Sequence, residues 1–302
     1  MRIGISLTTA LRAPDARTGA RWLVERTVAA REAGLDSLFV GDHHSTAPMM
    51  YYQNVPVLGR LLAEWGDRPA GALFLLPLWH PVLLAEQIGT LAAMHDGPFI
   101  MQCAIGPDDN QFPAFGLNPR HRPSRFEEAL DIMRRLWDGE TVSSDGRWPI
   151  KDARVAPVPP ERVQVWIGAV ASPAIDRAAR LGDGWLAAPS LTPAQAAAQS
   201  AEFIERCQIH TQESRTIAIR RDIYVGESDE EAAETTKATV DGGYRGIDPS
   251  GLAIGSAETV ARNFRELEEA GYSDVIVRNL MPSQEHAVAS IRRLGEVRAS
   301  LA

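Results

Sequence analysis

The sequence predicts an α/β fold, a closed (β/α)8 TIM barrel with insertions after strands 4 and 7, and three observations favour it. Short apolar segments alternate with amphipathic ones along all 302 residues, which is typical of parallel strands joined by helices. Eight such strands can be counted, the number that closes this kind of barrel. The turn after the first strand, SLTTALRAPD, lacks the GxGxxG pattern of an open dinucleotide-binding sheet.

The predicted strands are short and rich in β-branched or aromatic residues. They cover residues 2–7, 36–41, 70–76, 98–106, 163–169, 184–189, 216–226 and 273–280. Segments with a helical spacing of apolar residues follow them. These predicted helices cover residues 18–33, 55–65, 81–94, 123–138, 172–182, 193–210, 228–240, 257–270 and 284–301. Gly34 is a natural stop for the first helix, and Pro81 suits the first turn of the third.

Two segments interrupt this alternation, residues 139–162 and 241–255. The first is rich in Pro and contains the pair Asp145-Gly146, which predicts a small hairpin. The second is rich in Gly and is expected to be irregular. Because an α/β barrel reaches this length as one unit, residues 1–302 are expected to form a single domain.

Composition excludes several classes of function. The net charge of −8 and the pI near 5.4 argue against nucleic acid or an anionic membrane as partner. No signal peptide and no membrane-spanning apolar run is recognisable in the sequence. Cys103 and Cys207 lie far apart and form no metal-binding spacing. These features predict a cytoplasmic protein without a metal site.

Polar side chains follow the second predicted strand, at the end that faces the mouth of a parallel barrel. The segment VGDHHST places Asp42, His43 and His44 there in consecutive positions. Active sites of such barrels lie at this end of the strands. A carboxylate beside an imidazole can fix its tautomer and charge, so Asp42 is expected to orient His43 for proton transfer. The alternative is a hydrogen-bonded polar cluster that only caps the strand.

Other strand ends offer candidate contacts to a substrate, namely Ser6, Trp79, His80 and Arg278. The alternative for Trp79 and His80 is packing at the start of a helix, and for Arg278 a surface salt bridge. These strand ends show neither a second group of acidic residues and His at metal-binding spacing nor an obvious nucleophile–base pair. An unrelated barrel hydrolase is therefore not predicted.

Several longer segments resemble one family in their order and spacing. They are EAGLDSLFVGDHH (32–44), LFLLPLWHPVLLAEQIGTL (73–91) and VWIGAVASPAIDRAARLGDGWL (165–186). The first looks like the second strand of the bacterial luciferase-like oxidoreductases, and the others look like their third strand and their phosphate loop. The resemblance runs through residues 1–225 and returns in GSAETVARNFRELEEAGYSDVIV, near the end of the chain.

This resemblance implies a barrel that binds reduced FMN or coenzyme F420 at its mouth. With flavin the members are monooxygenases, and with deazaflavin they transfer a hydride. It implies catalytic roles for Asp42, His43 and His44, of which the Asp-His pair resembles the deazaflavin branch and the doubled His the flavin branch. It implies a cofactor contact at Leu75 and Leu76, with a non-proline cis peptide at that bond or one residue either side. A homodimer is expected, and a flavin reductase partner if the cofactor is FMN.

The phosphate of the cofactor is expected at the backbone of Ala169, Val170 and Ala171 and at the hydroxyl of Ser172, where a strand leads into a helix. The alternative is a plain helix cap by Ser172. Gly106, at the end of the fourth strand, is also assigned to the cofactor site. The family carries a phosphate-binding Arg near there, whereas this chain reads Gly106-Pro107-Asp108. The competing hypothesis is therefore a barrel without cofactor that acts as a binding or structural partner.

Overall fold

The structure is a computed structural model that describes residues 1–107, 110–212 and 215–301. Eight parallel strands pair side by side and close into a barrel, which confirms the predicted (β/α)8 TIM barrel. With strands numbered along the chain, the barrel consists of β1 (Arg2–Leu7), β2 (Ser37–Val40), β3 (Ala70–Leu75), β4 (Phe99–Ala104), β7 (Gln164–Gly168), β8 (Gly184–Ala187), β9 (Thr216–Val225) and β11 (Asp274–Asn279).

Helices surround the barrel and connect its strands. They are α1 (Ala16–Glu32), α2 (Asn54–Trp65), α3 (Pro81–Ala93), α4 (Gln111–Ala114), α5 (Arg122–Trp137), α6 (Ser172–Leu181), α7 (Pro193–Ile209), α8 (Asp229–Asp241), α9 (Ala257–Glu269) and α10 (Gln284–Leu301). Side chains cap several N-termini: Asp15 accepts from the backbone N–H of Thr18 at α1, and Thr192 with Gln195 forms a capping box at α7. The short helix α4 was not predicted.

The seam of the barrel joins the first and last strands of the chain. Residues 2–5 of β1 pair in parallel with residues 274–277 of β11. The Arg2 guanidinium also donates to both carboxylate oxygens of Asp274, with each donor–acceptor distance 2.8 Å. Such a bidentate pair fixes orientation as well as contact, so it supports the backbone pairing that closes the barrel.

Both predicted insertions are present. In the first, β5 (Val142–Ser144) and β6 (Ile150–Ala153) form an antiparallel hairpin, as the Asp-Gly pair predicted. The second contains two 3₁₀ turns, Tyr244–Gly246 and Pro249–Gly251, and then the short strand β10 (Ala253–Gly255). β10 pairs in parallel with the last residues of β9, so this insertion is bound to the barrel near its mouth.

An apolar layer fills the barrel interior. Phe39, Ile100, Trp166, Ala218 and Ile276 come from five different strands and pack together, all buried. Side chains alternate along a strand, so residues two positions further on face the same interior, closer to the C-terminal ends. The apolar layer is therefore the floor of the mouth.

The residues two positions beyond this layer on three of the strands are polar: Gln102 on β4, Arg220 on β9 and Arg278 on β11. Within the described ranges, no helix is long and apolar enough to cross a membrane, and no group of His, Cys, Asp and Glu could hold a metal ion. Cys103 and Cys207 are both buried free thiols.

Gly71 of β3 tests how tightly the barrel wall is packed. It pairs with Phe39 on one side and Ile100 on the other, and a Cβ at Gly71 would lie 1.7 Å from the Ile100 carbonyl oxygen. Gly in a strand marks this kind of close backbone approach. We therefore expect Gly71→Ala to lower the free energy of unfolding by at least about 2 kcal/mol, in the range of overpacked sites.

The matched control is Gly59→Ala in α2, where the nearest atom to the new Cβ, Leu91 Cδ2, is at 3.6 Å. Because Ala is the better helix former, this variant should be as stable as the wild type or up to about 1 kcal/mol more stable. Urea denaturation of the three proteins makes the comparison. Equal midpoints for both variants would contradict the close packing at Gly71.

Candidate active site

A cavity of about 470 Å³ opens at the C-terminal mouth of the barrel. Its walls combine the apolar side chains Leu73, Leu75, Leu186 and Ile276 with the polar ones Ser6, Asp42, His43, Tyr51, Gln102, Arg220, Arg245 and Arg278. Its volume is that of a small-molecule site. The cavity thus brings together five residues that the sequence singled out: Ser6, Asp42, His43, Leu75 and Arg278.

Asp42 is buried at the end of β2 and holds the adjoining wall of the cavity. Its Oδ2 accepts from the backbone N–H of Leu75 and from the indole N–H of Trp79, both at 2.8 Å. Its Oδ1 lies 3.1 Å from His44 Nε2. The expectation that Asp42 orients His43 is therefore wrong: the carboxylate faces the next histidine, because consecutive side chains point to opposite sides of the chain.

His43 reaches the cavity and is held by a residue far along the chain. Its Nδ1 lies 3.1 Å from Gln111 Oε1, which also accepts from the backbone N–H of His44 at 2.8 Å. With the amide oxygen on this side, Nδ1 carries the proton. Among the described residues Nε2 has no hydrogen-bond partner, so this nitrogen is the one that can exchange a proton with a bound molecule.

His44 does not line the cavity. Its ring lies edge-on to Trp79 and Phe115, with centroid distances of 5.6 and 5.1 Å. The predicted catalytic role of His44 thus has no contact with the mouth to support it. Tyr51, which the sequence did not single out, does line the mouth and lies 5.7 Å from the His43 ring. Burial raises the pKa of the Tyr51 phenol.

The chain turns sharply after β3 without the expected non-proline cis peptide. The cis bonds of the described residues precede Pro48 and Pro157. Leu76–Leu78 instead form a 3₁₀ turn, whose entry is fixed by the hydrogen bond from the Leu75 N–H to Asp42. Leu75 lines the cavity, whereas Leu76 is buried in the core outside it.

Trp79 and His80 have different surroundings from those predicted. Trp79 packs against Phe74 and His44 behind the cavity wall. His80 is the N-cap residue of α3, and its ring lies edge-on to Trp148 of the hairpin insertion. Burial and the charge of Arg125 lower the pKa of His80. The alternative of packing at a helix start is therefore correct for both residues, and neither lines the mouth.

The predicted phosphate loop, residues 169–172, also lies outside this cavity. Ser172 is the first residue of α6, and its hydroxyl donates to the carboxylate of Glu202 instead of capping the helix. The Val170 carbonyl accepts from Gln199. A carboxylate at this position opposes a bound phosphate. The helix start is therefore a poor match for the phosphate site that the resemblance implies.

Gly106 has a left-handed backbone conformation, with φ of +76°. A Cβ at this position would lie in contact with Leu75 and Phe112. Its carbonyl accepts from Arg122 Nη1 at 2.8 Å, so an arginine from α5 does reach this loop. The two acidic residues that follow, Asp108 and Asp109, lie outside the described residues.

Two arginines of the barrel interior give the mouth its positive charge. Arg220 lies 3.2 Å from Asp222 Oδ1, and burial lowers the pKa of Arg220 to about 10. Arg278 donates from Nε to Thr8 Oγ1 at 3.0 Å, and burial lowers its pKa also. Arg278 therefore lies inside the mouth, and the alternative of a surface salt bridge is wrong. The signal for Arg220 in the sequence is its spacing on β9, two positions after Ala218, which faces the barrel interior.

Gln102 is a further polar residue of the cavity that the sequence did not identify. It is 3% exposed and lines the cavity, and its Nε2 has no hydrogen-bond partner among the residues that the structure describes. An unpaired buried amide is costly, typically by 1–3 kcal/mol. A molecule bound in the cavity can therefore accept a hydrogen bond from Gln102 Nε2.

Comparison with known proteins agrees with this architecture. The family model for luciferase-like monooxygenases matches residues 1–250. An F420-dependent glucose-6-phosphate dehydrogenase of Microbacterium testaceum is 30% identical over 200 residues, which cover 63% of this chain and 59% of that protein. The chain thus aligns with less than two thirds of the length of that relative.

Two solved structures share the fold over nearly their whole length. An F420-dependent secondary alcohol dehydrogenase with an F420-acetone adduct gives a TM-score of 0.81 at 18% identity, covering 100% of this chain and 99% of that one. The FMN complex of 3,6-diketocamphane monooxygenase from Pseudomonas putida gives 0.84 at 17% identity, covering 100% and 98%. Because the family model matches most of its length, the chain belongs to the luciferase-like monooxygenase family.

Proposed function

We propose that the chain is an oxidoreductase that uses reduced coenzyme F420 or FMN in the mouth cavity for hydride transfer to, or monooxygenation of, a small organic substrate. The observation that carries this proposal is the cavity itself. Among its walls are the buried amide of Gln102 and the ring of His43, and neither Nε2 atom has a hydrogen-bond partner among the described residues.

The residues of the cavity fit the ring system of either cofactor. A planar ring with polar atoms along one edge can pack against Leu75 and Leu186 and accept a hydrogen bond from Gln102. When bound, the reduced ring supplies a hydride, or with flavin it activates oxygen. The phosphate of the cofactor fits less well at residues 169–172, because Glu202 holds the Ser172 hydroxyl there.

The chain itself supplies positioning and a proton. His43 Nε2 gives or takes a proton at the substrate, while Gln111 fixes the tautomer of the ring. Asp42 holds Leu75 and Trp79 in place and so shapes the wall against which the ring packs. The apolar floor excludes water from below, which strengthens the electrostatic interactions at the mouth.

Coenzyme F420 is the cofactor that we favour. The relative that is 30% identical is named as F420-dependent, whereas the likeness to the FMN complex at 17% identity concerns the fold alone. The homodimer, the cytoplasmic location and the reductase partner of an FMN enzyme stay predictions.

The competing hypothesis, a barrel without cofactor that binds a partner, draws support from the contact between Ser172 and Glu202. The competing hypothesis does not account for the buried Gln102 amide. It also does not account for the His43 imidazole, which Gln111 holds in one tautomer. We therefore favour the enzyme.

Cofactor titration tests the proposal directly. We expect F420 to bind with micromolar affinity, measured by the change in its fluorescence, and FMN to bind at least tenfold more weakly. Gln102→Leu, which removes the unpaired donor but keeps the size, should weaken binding roughly tenfold or more, the loss of one hydrogen bond to the ring. Micromolar FMN binding with none for F420 would reverse the choice of cofactor, and binding of neither would favour the partner hypothesis.

Substitution of His43 tests its role in proton transfer. His43→Ala should lower turnover by about 10²–10⁴-fold without changing the melting temperature, because a general acid or base contributes that much. The matched control is His80→Ala, an exposed histidine outside the cavity, which should keep its rate. The assay follows cofactor absorbance with a panel of alcohols, aldehydes and sugar phosphates. Equal rates for both variants would remove His43 from the mechanism.

Substitution of Asp42 separates positioning from chemistry. Asp42→Ala leaves the Leu75 N–H and the Trp79 indole without their acceptor, so the free energy of unfolding should fall by roughly 2–6 kcal/mol, at 1–3 for each unsatisfied group. Because Oδ2 accepts both hydrogen bonds, Asp42→Asn with its amide oxygen in that place keeps both of them and should lose less than half of that free energy. Urea denaturation followed by tryptophan fluorescence measures both effects. If Asp42→Ala were as stable as the wild type, these hydrogen bonds would not hold the wall.

A further inference from the structure

A second cavity of about 380 Å³ lies beside the mouth, between the loops after β1 and β11 and the insertion 241–255. It shares Arg245 and Arg278 with the mouth cavity and adds Arg12 and Arg26. None of its described lining residues is acidic. Four arginines around one cavity contrast with the net charge of −8 of the whole chain.

Arg26 is the most unusual of these side chains. It lies on α1, is 1% exposed, and donates from Nε to Gln284 Oε1 at 2.8 Å. Its Nη2 is buried and has no hydrogen-bond partner within the described part of the chain. Burial lowers the pKa of Arg26 to about 10. A buried charge with an unused donor is costly unless something pairs with it.

The arginines that border both cavities are only partly neutralised. Arg245 Nη1 lies 3.4 Å from Asp222, but that carboxylate also contacts Arg220 and accepts from the Tyr244 hydroxyl. Arg278 contacts the neutral hydroxyl of Thr8. One carboxylate thus contacts two guanidinium groups, and the other three arginines of the second cavity, Arg12, Arg26 and Arg278, have no acidic residue in its described lining.

We infer that this second cavity is an oxyanion site, in which Arg26, Arg245 and Arg278 bind the phosphate or carboxylate group of a molecule whose reacting end lies in the mouth cavity. The last clause rests on the proposed function, whereas the oxyanion site does not. Guanidinium groups bind planar or tetrahedral oxyanions through two N–H donors at once, which suits several arginines around one group. The cavity exceeds a single phosphate in volume, so the linker to the reacting end fits as well.

Two sources share this chemistry, the substrate and the cofactor. The site lies by β1 and β11, across the barrel from residues 169–172, where Glu202 opposes an anion. An oxyanion on the substrate would enter here while the cofactor ring occupies the floor. The phosphate of the cofactor itself is the other source, and competition experiments separate the two.

Calorimetric titration with inorganic phosphate, at constant ionic strength held with chloride, tests the site. We expect saturable binding to the wild type and a roughly ten- to hundredfold weaker affinity for Arg26→Gln, the loss of a charge-assisted contact. Arg245→Gln should weaken binding in the same direction. Because Arg245 is partly exposed, this variant keeps the test valid if Arg26→Gln does not fold. The matched control is Arg292→Gln, an exposed arginine of α10, which should bind phosphate like the wild type.

Absence of saturable phosphate binding by the wild type, or equal weakening by Arg292→Gln, would overturn the oxyanion site. Titrating F420 or FMN with and without saturating phosphate then assigns the source: independent binding supports the substrate, and competition supports the cofactor phosphate. Phosphate binding by a protein that binds neither cofactor would reject the proposed function and leave the oxyanion site standing.

Discussion

The apolar layer formed by Phe39, Ile100, Trp166, Ala218 and Ile276 fills the barrel interior, and the arrangement of the mouth depends on that filling. A closed barrel of eight strands has just enough room for such side chains, so water is excluded from below. The next inward positions then lie at a boundary between a dry core and an open face. Polar groups there are desolvated but reachable, which makes their interactions with a bound molecule strong.

The architecture could be predicted from the sequence because it depends on repetition. Eight apolar strands with helices between them specify the barrel whatever their exact ends, and the Asp-Gly pair specified the hairpin. The placement of Asp42 and His43 at the mouth followed from the same argument, since parallel strands end on one face. These are properties of each segment by itself.

The contacts within the site could not be predicted, because they join distant segments. Gln111 holds His43 from 68 residues away, and nothing near either residue indicates that pairing. Which of two adjacent histidines a carboxylate faces depends on side-chain direction, and Asp42 faces His44. The family resemblance led to the expectation of a cis bond after Leu75, whereas a 3₁₀ turn held by Asp42 makes that bend.

The insertion 241–255 carries Arg245 to the mouth, and β10 fastens it to the end of β9 by three paired residues. No residue of this segment belongs to the apolar layer that fills the barrel. Replacement of the exposed residues of this segment by residues of different charge would therefore alter what the mouth attracts, while the buried Leu252 and Ala253 keep the segment packed on the barrel. The polar face of one segment can in this way change which molecules the mouth binds, while the barrel strands keep their pairing.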